Sequence, residues 1–363
     1  MPVPKLDVAR LRMHNGHLTG ARCPTVTDVV RSFGAVQAQD FAGAKWGVAQ
    51  RATAGLDRDV ERAFERGEIL RTHVLRPTWH FVVPADLRWL LALSAPRVKQ
   101  AMATYDRKLN LDERTYARSN HALAKALAGG NHLTRSELAR ALAKIKIDAL
   151  GHRLGHLMMR AELDAVICSG PRRGKQMTYA LVSERCPPAP ALDRDEALGA
   201  LAGRYIASHG PAVVHDFAWW SGLTITDAKR GLELARPKLR SQLVNDRTYW
   251  FTEPPPAARG QQPIIHLLPN YDEYMVAYEH RSVAPDASVA ATLGGRNNLL
   301  FTNLVVLNGQ PIGSWRRTVD RIAVTVTATL ATAIDRPAQR ALAAAVDRFG
   351  AFLELPARLT PPR

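Results

Sequence analysis

The chain has 363 residues, 46% of them hydrophobic and 23% charged, a balance that excludes a wholly disordered or fibrous protein and allows two or three domains with cores of their own. Its 49 Lys and Arg outnumber 33 Asp and Glu, giving a formal net charge of +16 that calls for an anionic partner. No stretch approaches the ~20 apolar residues needed to span a bilayer, and Met1 to Arg10 lacks the apolar region of a secretory signal, so a cytosolic protein with nucleic acid as its leading partner is expected.

In chain order, periodicity predicts helices over Thr25 to Phe33, Ala42 to Thr53 and Asp57 to Arg66. Two strands, Ile69 to Leu75 and Thr78 to Val83, then pair across Arg76-Pro77. After Gly129-Gly130, Thr134-Arg135-Ser136-Glu137 fits a capping box, and Leu138, Leu142 and Ile145 continue an apolar helical face. A second helix follows over His152 to Val166. A strand from Ala165 to Cys168 then enters the turn Ser169 to Lys175 and leaves through Met177 to Leu181. Helix, turn, helix and a hairpin with a basic glycine tip is the layout of a winged helix.

The proline-rich runs Arg185 to Pro190 and Glu253 to Gly260 read as linkers. Between them, helices over Val213 to Trp220 and Thr226 to Ala235, the first stopped by Ser221-Gly222 and the second by Pro237, precede two short strands around Asn245-Asp246. Beyond them, Leu304 to Leu307, Asn308-Gly309 and Gln310 to Trp315 form a hairpin signal of the type I′ kind. A strand over Ile322 to Thr327 and a helix over Pro337 to Phe352 follow. The expected fold is α+β: tandem winged helices at 1–112, 113–188 and 189–256, then a small β-rich domain with a closing helix at 257–363.

Cys23, Cys168 and Cys186 lie far apart without CxxC spacing, which indicates neither a disulfide framework nor a zinc site, and no metal or cofactor is called for. There is no GxxxxGK[ST] loop, GxSxG elbow or HExxH pair. The basic tip, Arg172, Arg173 and Lys175, is the best electrostatic site, and Arg153, off the core face of the preceding helix, joins it as a DNA contact. In Gln37-Ala38-Gln39, an extended backbone turns both amides to one side, enough to hold a water, although a polar connection between helices would look the same. Asp40 is the nearby carboxylate; alternation turns it away, and it fits equally an N-cap.

Arg71 to Phe81 packs polar and aromatic residues into the first hairpin, where the residues alone favour a buried hydrogen-bond network over a site wall. His14-Asn15-Gly16-His17 is either a turn with exposed histidines or a probe reaching a groove. Tyr271, Asp272 and Glu273 read as a turn before a strand rather than an acidic site.

Together, Val36 to Asp40, Arg76 to Phe81, Leu268 to Tyr274 and the tandem winged helices resemble the AlkZ and YcaQ family of DNA glycosylases across essentially the whole chain. With Gln37 and Gln39 it resembles the actinobacterial AlkZ branch, where YcaQ has Gln and Asp. The resemblance implies a basic DNA cleft and excision of N7-alkylated purines from duplex DNA, including interstrand crosslinks such as those of azinomycin, by a monomer. It implies Gln37 and Gln39 at the lesion, with His17, Trp79 and His80 as candidate site walls. The rival expectation is a non-enzymatic winged-helix transcriptional regulator.

Overall fold

The structure, a computed structural model, describes residues 6–53, 55–189, 191–252, 262–279 and 287–360. The first region runs α1 (Val8–Asn15), α2 (Val26–Phe33), β1 (Val36–Gln37), α3 (Phe41–Ala49), α4 (Asp57–Arg66), β2 (Leu70–Val74) and β3 (Arg76–Val82). The strands form an antiparallel sheet in the order β1-β3-β2. The long α5 (Pro84–Lys108) starts with proline in its first turn, where a missing N–H costs nothing. The helix expected to reach Thr53 stops at Ala49.

The second region contains α6 (Glu113–Leu127), β4 (Leu133–Thr134), α7 (Arg135–Lys144), α8 (Gly151–Leu163), β5 (Ile167–Ser169) and β6 (Thr178–Leu181). The capping box is made: Thr134 N–H donates to Glu137 Oε2 at 2.7 Å and Glu137 N–H to Thr134 Oγ1 at 3.3 Å. Helix α8 ends three residues early, before Ala165 at φ +55°. The region has its own core, with Leu123, Leu127, Leu138, Leu142, Leu157 and Ala161 fully buried.

The run Arg185 to Pro190 is not a free linker at its start. A helical turn, α9 (Val182–Arg185), leads into buried Cys186, and the Arg185 guanidinium donates to Phe64 O at 2.5 Å and Glu65 O at 3.0 Å. The second proline-rich run, Glu253 to Gly260, lies outside the described residues. Between them stand α10 (Arg194–His209), α11 (Val214–Ser221), α12 (Ile225–Ala235) and the hairpin β7 (Arg240–Val244) with β8 (Arg247–Phe251). Asn245 and Asp246 adopt φ of +49° and +59°, the turn that suits a tight hairpin.

The last region holds β9 (Ile265–Leu268), α13 (Glu273–Val276), α14 (Ala287–Thr292), β10 (Leu304–Leu307), β11 (Gln310–Val319), β12 (Val324–Leu330), α15 (Arg336–Leu353) and β13 (Ala357–Thr360). Its sheet runs β13-β12-β11-β10-β9, with β12 and β13 parallel. This sheet shares its core with the first region. Trp46 of α3 donates to Leu267 O at 2.6 Å and packs its ring 5.2 Å from Phe349 and 5.1 Å from Phe352 of α15. The core thereby clamps the loop after β9 against the start of α3.

Candidate active site

Strand β1 is two residues long, yet its register is fixed: Val36 pairs with Phe81 and Gln37 with His80. Val36 and Ala38 are buried in the apolar cluster, so alternation turns Gln37 to the other face. The loop after β9 lies over that face because α3 presents glycines four residues apart. A Cβ at Gly43 would fall 2.8 Å from Asp40 Oδ2 and 3.1 Å from Asn270 Oδ1, and one at Gly47 would fall 3.3 Å from Asp272 Oδ2. Asp272 is locked there by Arg51, which donates to its two oxygens at 2.9 and 2.7 Å with both side chains buried.

The turn at residues 270–273 follows β9 and opens α13, rather than preceding a strand. Glu273 at its end is fully buried beneath Gln37. Its Oε1 accepts the Gln37 backbone N–H at 2.5 Å, and its Oε2 accepts from Trp220 Nε1 at 3.0 Å and from His209 Nε2 at 3.1 Å. Burial alone would raise its carboxyl, but the contacts with His209 and the Gln37 N–H outweigh this and hold it below the usual carboxylate range.

The Gln37 side chain is 5% exposed. Its Nε2 lies 3.4 Å from Thr78 Oγ1, whereas Oε1 is buried without a partner. A small cavity of about 10 Å³, room for one water, is lined by Gln37, Phe33, Val36, Asn270 and Glu273. Asn270 Oδ1 is likewise buried and unpartnered. A buried carbonyl oxygen without a donor favours a nearby water or a developing positive charge.

Gln39 is exposed, with Oε1 3.5 Å from Trp79 N, and its backbone carbonyl accepts from Arg71 at 3.3 Å. Asp40 takes the N-cap position of α3 but makes no side-chain cap bond. Trp79 is partly exposed, its ring 4.4 Å from the Arg71 guanidinium and 4.5 Å from His73. His80 is no surface wall: it is fully buried, its Nδ1–H donates to Thr78 O at 3.0 Å, and burial, then the charge of Arg76, push its pKa down to about 3. His17 adopts φ +54° and rests against Phe33, 6.3 Å between ring centroids.

A family model described as DNA glycosylase AlkZ-like matches residues 30–352, which include Gln37, Gln39, Trp79, His80 and Glu273. This chain belongs to the AlkZ-like family of DNA glycosylases. It is 25% identical to the interstrand DNA cross-link repair glycosylase of Streptomyces sahachiroi, over 349 residues covering 86% of this chain and 88% of that protein. The solved structure of the DNA glycosylase AlkZ from the same organism matches with a TM-score of 0.75 at 22% identity, covering 97% of this chain and 98% of the other, so the two share a mixed α+β fold.

In this AlkZ-like glycosylase the basic tip is unequal. Arg172 turns inward to Glu61, 2.5 Å away, with its guanidinium 5.1 Å from the Phe41 ring centroid. Arg173 is exposed but held by Glu137 at 2.8 Å and His132 O at 2.7 Å. Lys175 is exposed and forms no ion pair among the described residues. Arg153 fastens the end of α5, donating to Leu109 O, to Asn110 O at 3.3 Å and to Asp148 O at 3.0 Å.

Sequence reasoning missed Glu273, His209 and Trp220 as neighbours of Gln37. The run Leu268 to Tyr274 carried the signal, since two acids between apolar residues make a poor solvent-facing turn. Among the described residues no group of three His, Cys, Asp or Glu side chains is placed to hold a metal, and no helix is long and apolar enough to cross a membrane.

Proposed function

We propose that this glycosylase hydrolyses the N-glycosidic bond of cationic N7-alkylpurines in duplex DNA, including purines joined in azinomycin-type interstrand crosslinks, and leaves abasic sites. The Gln37 amide carries the reading: its Oε1 is buried without a partner, and the residue lines a cavity of water size. Glycoside hydrolysis ordinarily needs an acid on the leaving group and a carboxylate opposite. An N7-alkylpurine is already positive, so the bonding electron pair neutralises the departing base and no acid is needed. What remains is to place a water at C1′ and stabilise a cationic sugar, work suited to the carbonyl dipoles of Gln37 and Gln39.

The helix order of α6, α7 and α8 with the β5–β6 hairpin, and of α10, α11 and α12 with β7–β8, supports tandem winged helices that hold the duplex. The order α2, α3, α4 with β2–β3 supports a third. The +16 charge suits a monomer gripping DNA, and the curated relative's name supports the crosslink substrate. A crosslinked base resists flipping, so the reaction takes place from a groove. The test is to incubate the protein with N7-methylguanine DNA and azinomycin-crosslinked DNA and assay free base and abasic sites. Release from both is expected, and no release from a folded sample overturns the proposal.

A further inference from the structure

We propose that Glu273 is the positioning residue for Gln37: its carboxylate fixes the backbone of β1 through the Gln37 N–H and sets a permanent negative charge behind the amide that faces the sugar. The inference rests on the glycosylase reading and extends it to a group that never touches DNA. Strand β1 has two residues and one strand neighbour, too little ladder to hold a side chain to a fraction of an ångström. The 2.5 Å bond from Gln37 N–H to Glu273 Oε1 supplies the missing constraint from the far end of the chain, 236 residues away.

Glu273 is itself immobilised. Trp220 and His209 hold its second oxygen, the His209 ring stacks on Tyr205 at 4.9 Å and 16°, and its Nδ1 meets Ser208 Oγ at 2.8 Å. A charge with this many ties is an expensive thing to bury, and a neutral side chain could close the same apolar gap. Its placement has a chemical use. In the reaction the C1′–N bond breaks with its electron pair passing to the cationic purine, water oxygen bonds to C1′, and the water proton leaves to solvent. Positive charge builds on the sugar alone in the transition state. A fixed carboxylate behind the Gln37 dipole favours that state and reorganises little as it forms.

The test is Glu273→Gln in the full chain. Single-turnover release of N7-methylguanine is expected to fall about tenfold or more, with the Kd for the same DNA within about twofold. Should that variant fold poorly, His209→Asn gives a second reading. It withdraws one of the contacts that keep Glu273 ionised against burial, so an acidic limb absent from the parent should enter the pH–rate profile. The other titratable groups around this carboxylate are Arg76 and His80 from β3, Tyr205 from α10 and Tyr278 after α13. A folded Glu273→Gln that releases base within twofold of the parent rate, or a His209→Asn profile parallel to the parent's, overturns the role of Glu273 and leaves the glycosylase reading intact. A folded parent that releases no base overturns both.

Discussion

Gln37 and His80 stand directly opposite each other across β1 and β3, and both side chains are withdrawn from solvent, at 5% and 0% exposure. The Gln37 amide therefore lies in a dry setting between β1 and β3. Its near neighbour Gln39 is exposed two residues past the end of the strand, so the two amides meet different solvent.

That asymmetry separates the two glutamines. Gln37→Ala is expected to lower single-turnover base release by about a hundredfold, the size of effect seen when one preorganised dipole is lost. Gln39→Ala should cost less, because its amide is wet before DNA arrives, and the double variant should approach the uncatalysed rate. Since the Gln37 side chain has one long contact, at 3.4 Å, its removal should change the Tm little. Free base measured by chromatography together with thermal melts checks both statements, and full release by the double variant removes the amides from the mechanism.

The buried histidines predict an acid sensitivity. His80 and His266 are both pushed down to about 3, each by burial first and then by nearby arginines. A group whose pKa is lower folded than unfolded adds stability in full above its unfolded value near 6.5, and that contribution shrinks as pH falls toward 3, because the unfolded chain takes up the proton first. Each histidine should contribute a slope of about 1.4 kcal/mol per pH unit across that window. His266→Gln should flatten the fall of stability between pH 6 and 4 in denaturant titrations, and an unchanged slope would show that His266 does not titrate as buried.

In the basic tip, Arg172 and Arg173 are engaged by acids of the same chain, whereas Lys175 forms no ion pair among the described residues. Lys175→Ala should weaken binding across sequences and lower the slope of log K against log salt by about one, because its side chain is exposed and forms no ion pair among the described residues. Arg172→Ala should leave the slope nearly unchanged while loosening the contact with Glu61. Binding isotherms at several salt concentrations distinguish them, and equal slopes for both variants would mean that Arg172 swings out to the DNA.

How much was legible depended on how local the determinant is. The capping box at Thr134, the Asn308-Gly309 turn and the helix over Asp57 to Arg66 are written in consecutive residues and stand where the pattern puts them. Gln37 and Gln39 could be singled out from adjacent residues, but the strand ends at Gln37, and packing alone decides that one amide is buried and the other exposed. Glu273 was not, since its meaning comes from a contact 236 residues away, and the inward turn of Arg172 depends on Glu61, 111 residues earlier. Local patterns specify elements, whereas long-range packing decides which polar groups are dry and paired.

The joint between the first and third regions gives a prediction that depends on one glycine. Gly222 ends α11 with φ +69°, and a Cβ there would lie 2.2 Å from the carbonyl oxygen of Leu75, in the turn between β2 and β3. Both the left-handed backbone and the close approach exclude a side chain. Gly222→Ala should therefore destabilise the protein by about 2–4 kcal/mol, through strain and a shifted hairpin rather than through lost contacts. Because β3 carries Thr78 and His80 next to Gln37, the surviving folded fraction should also release base more slowly. Melting curves and single-turnover assays on the same sample test the pair of effects: a lower Tm with an unchanged rate would mean that the hairpin can move without disturbing Gln37.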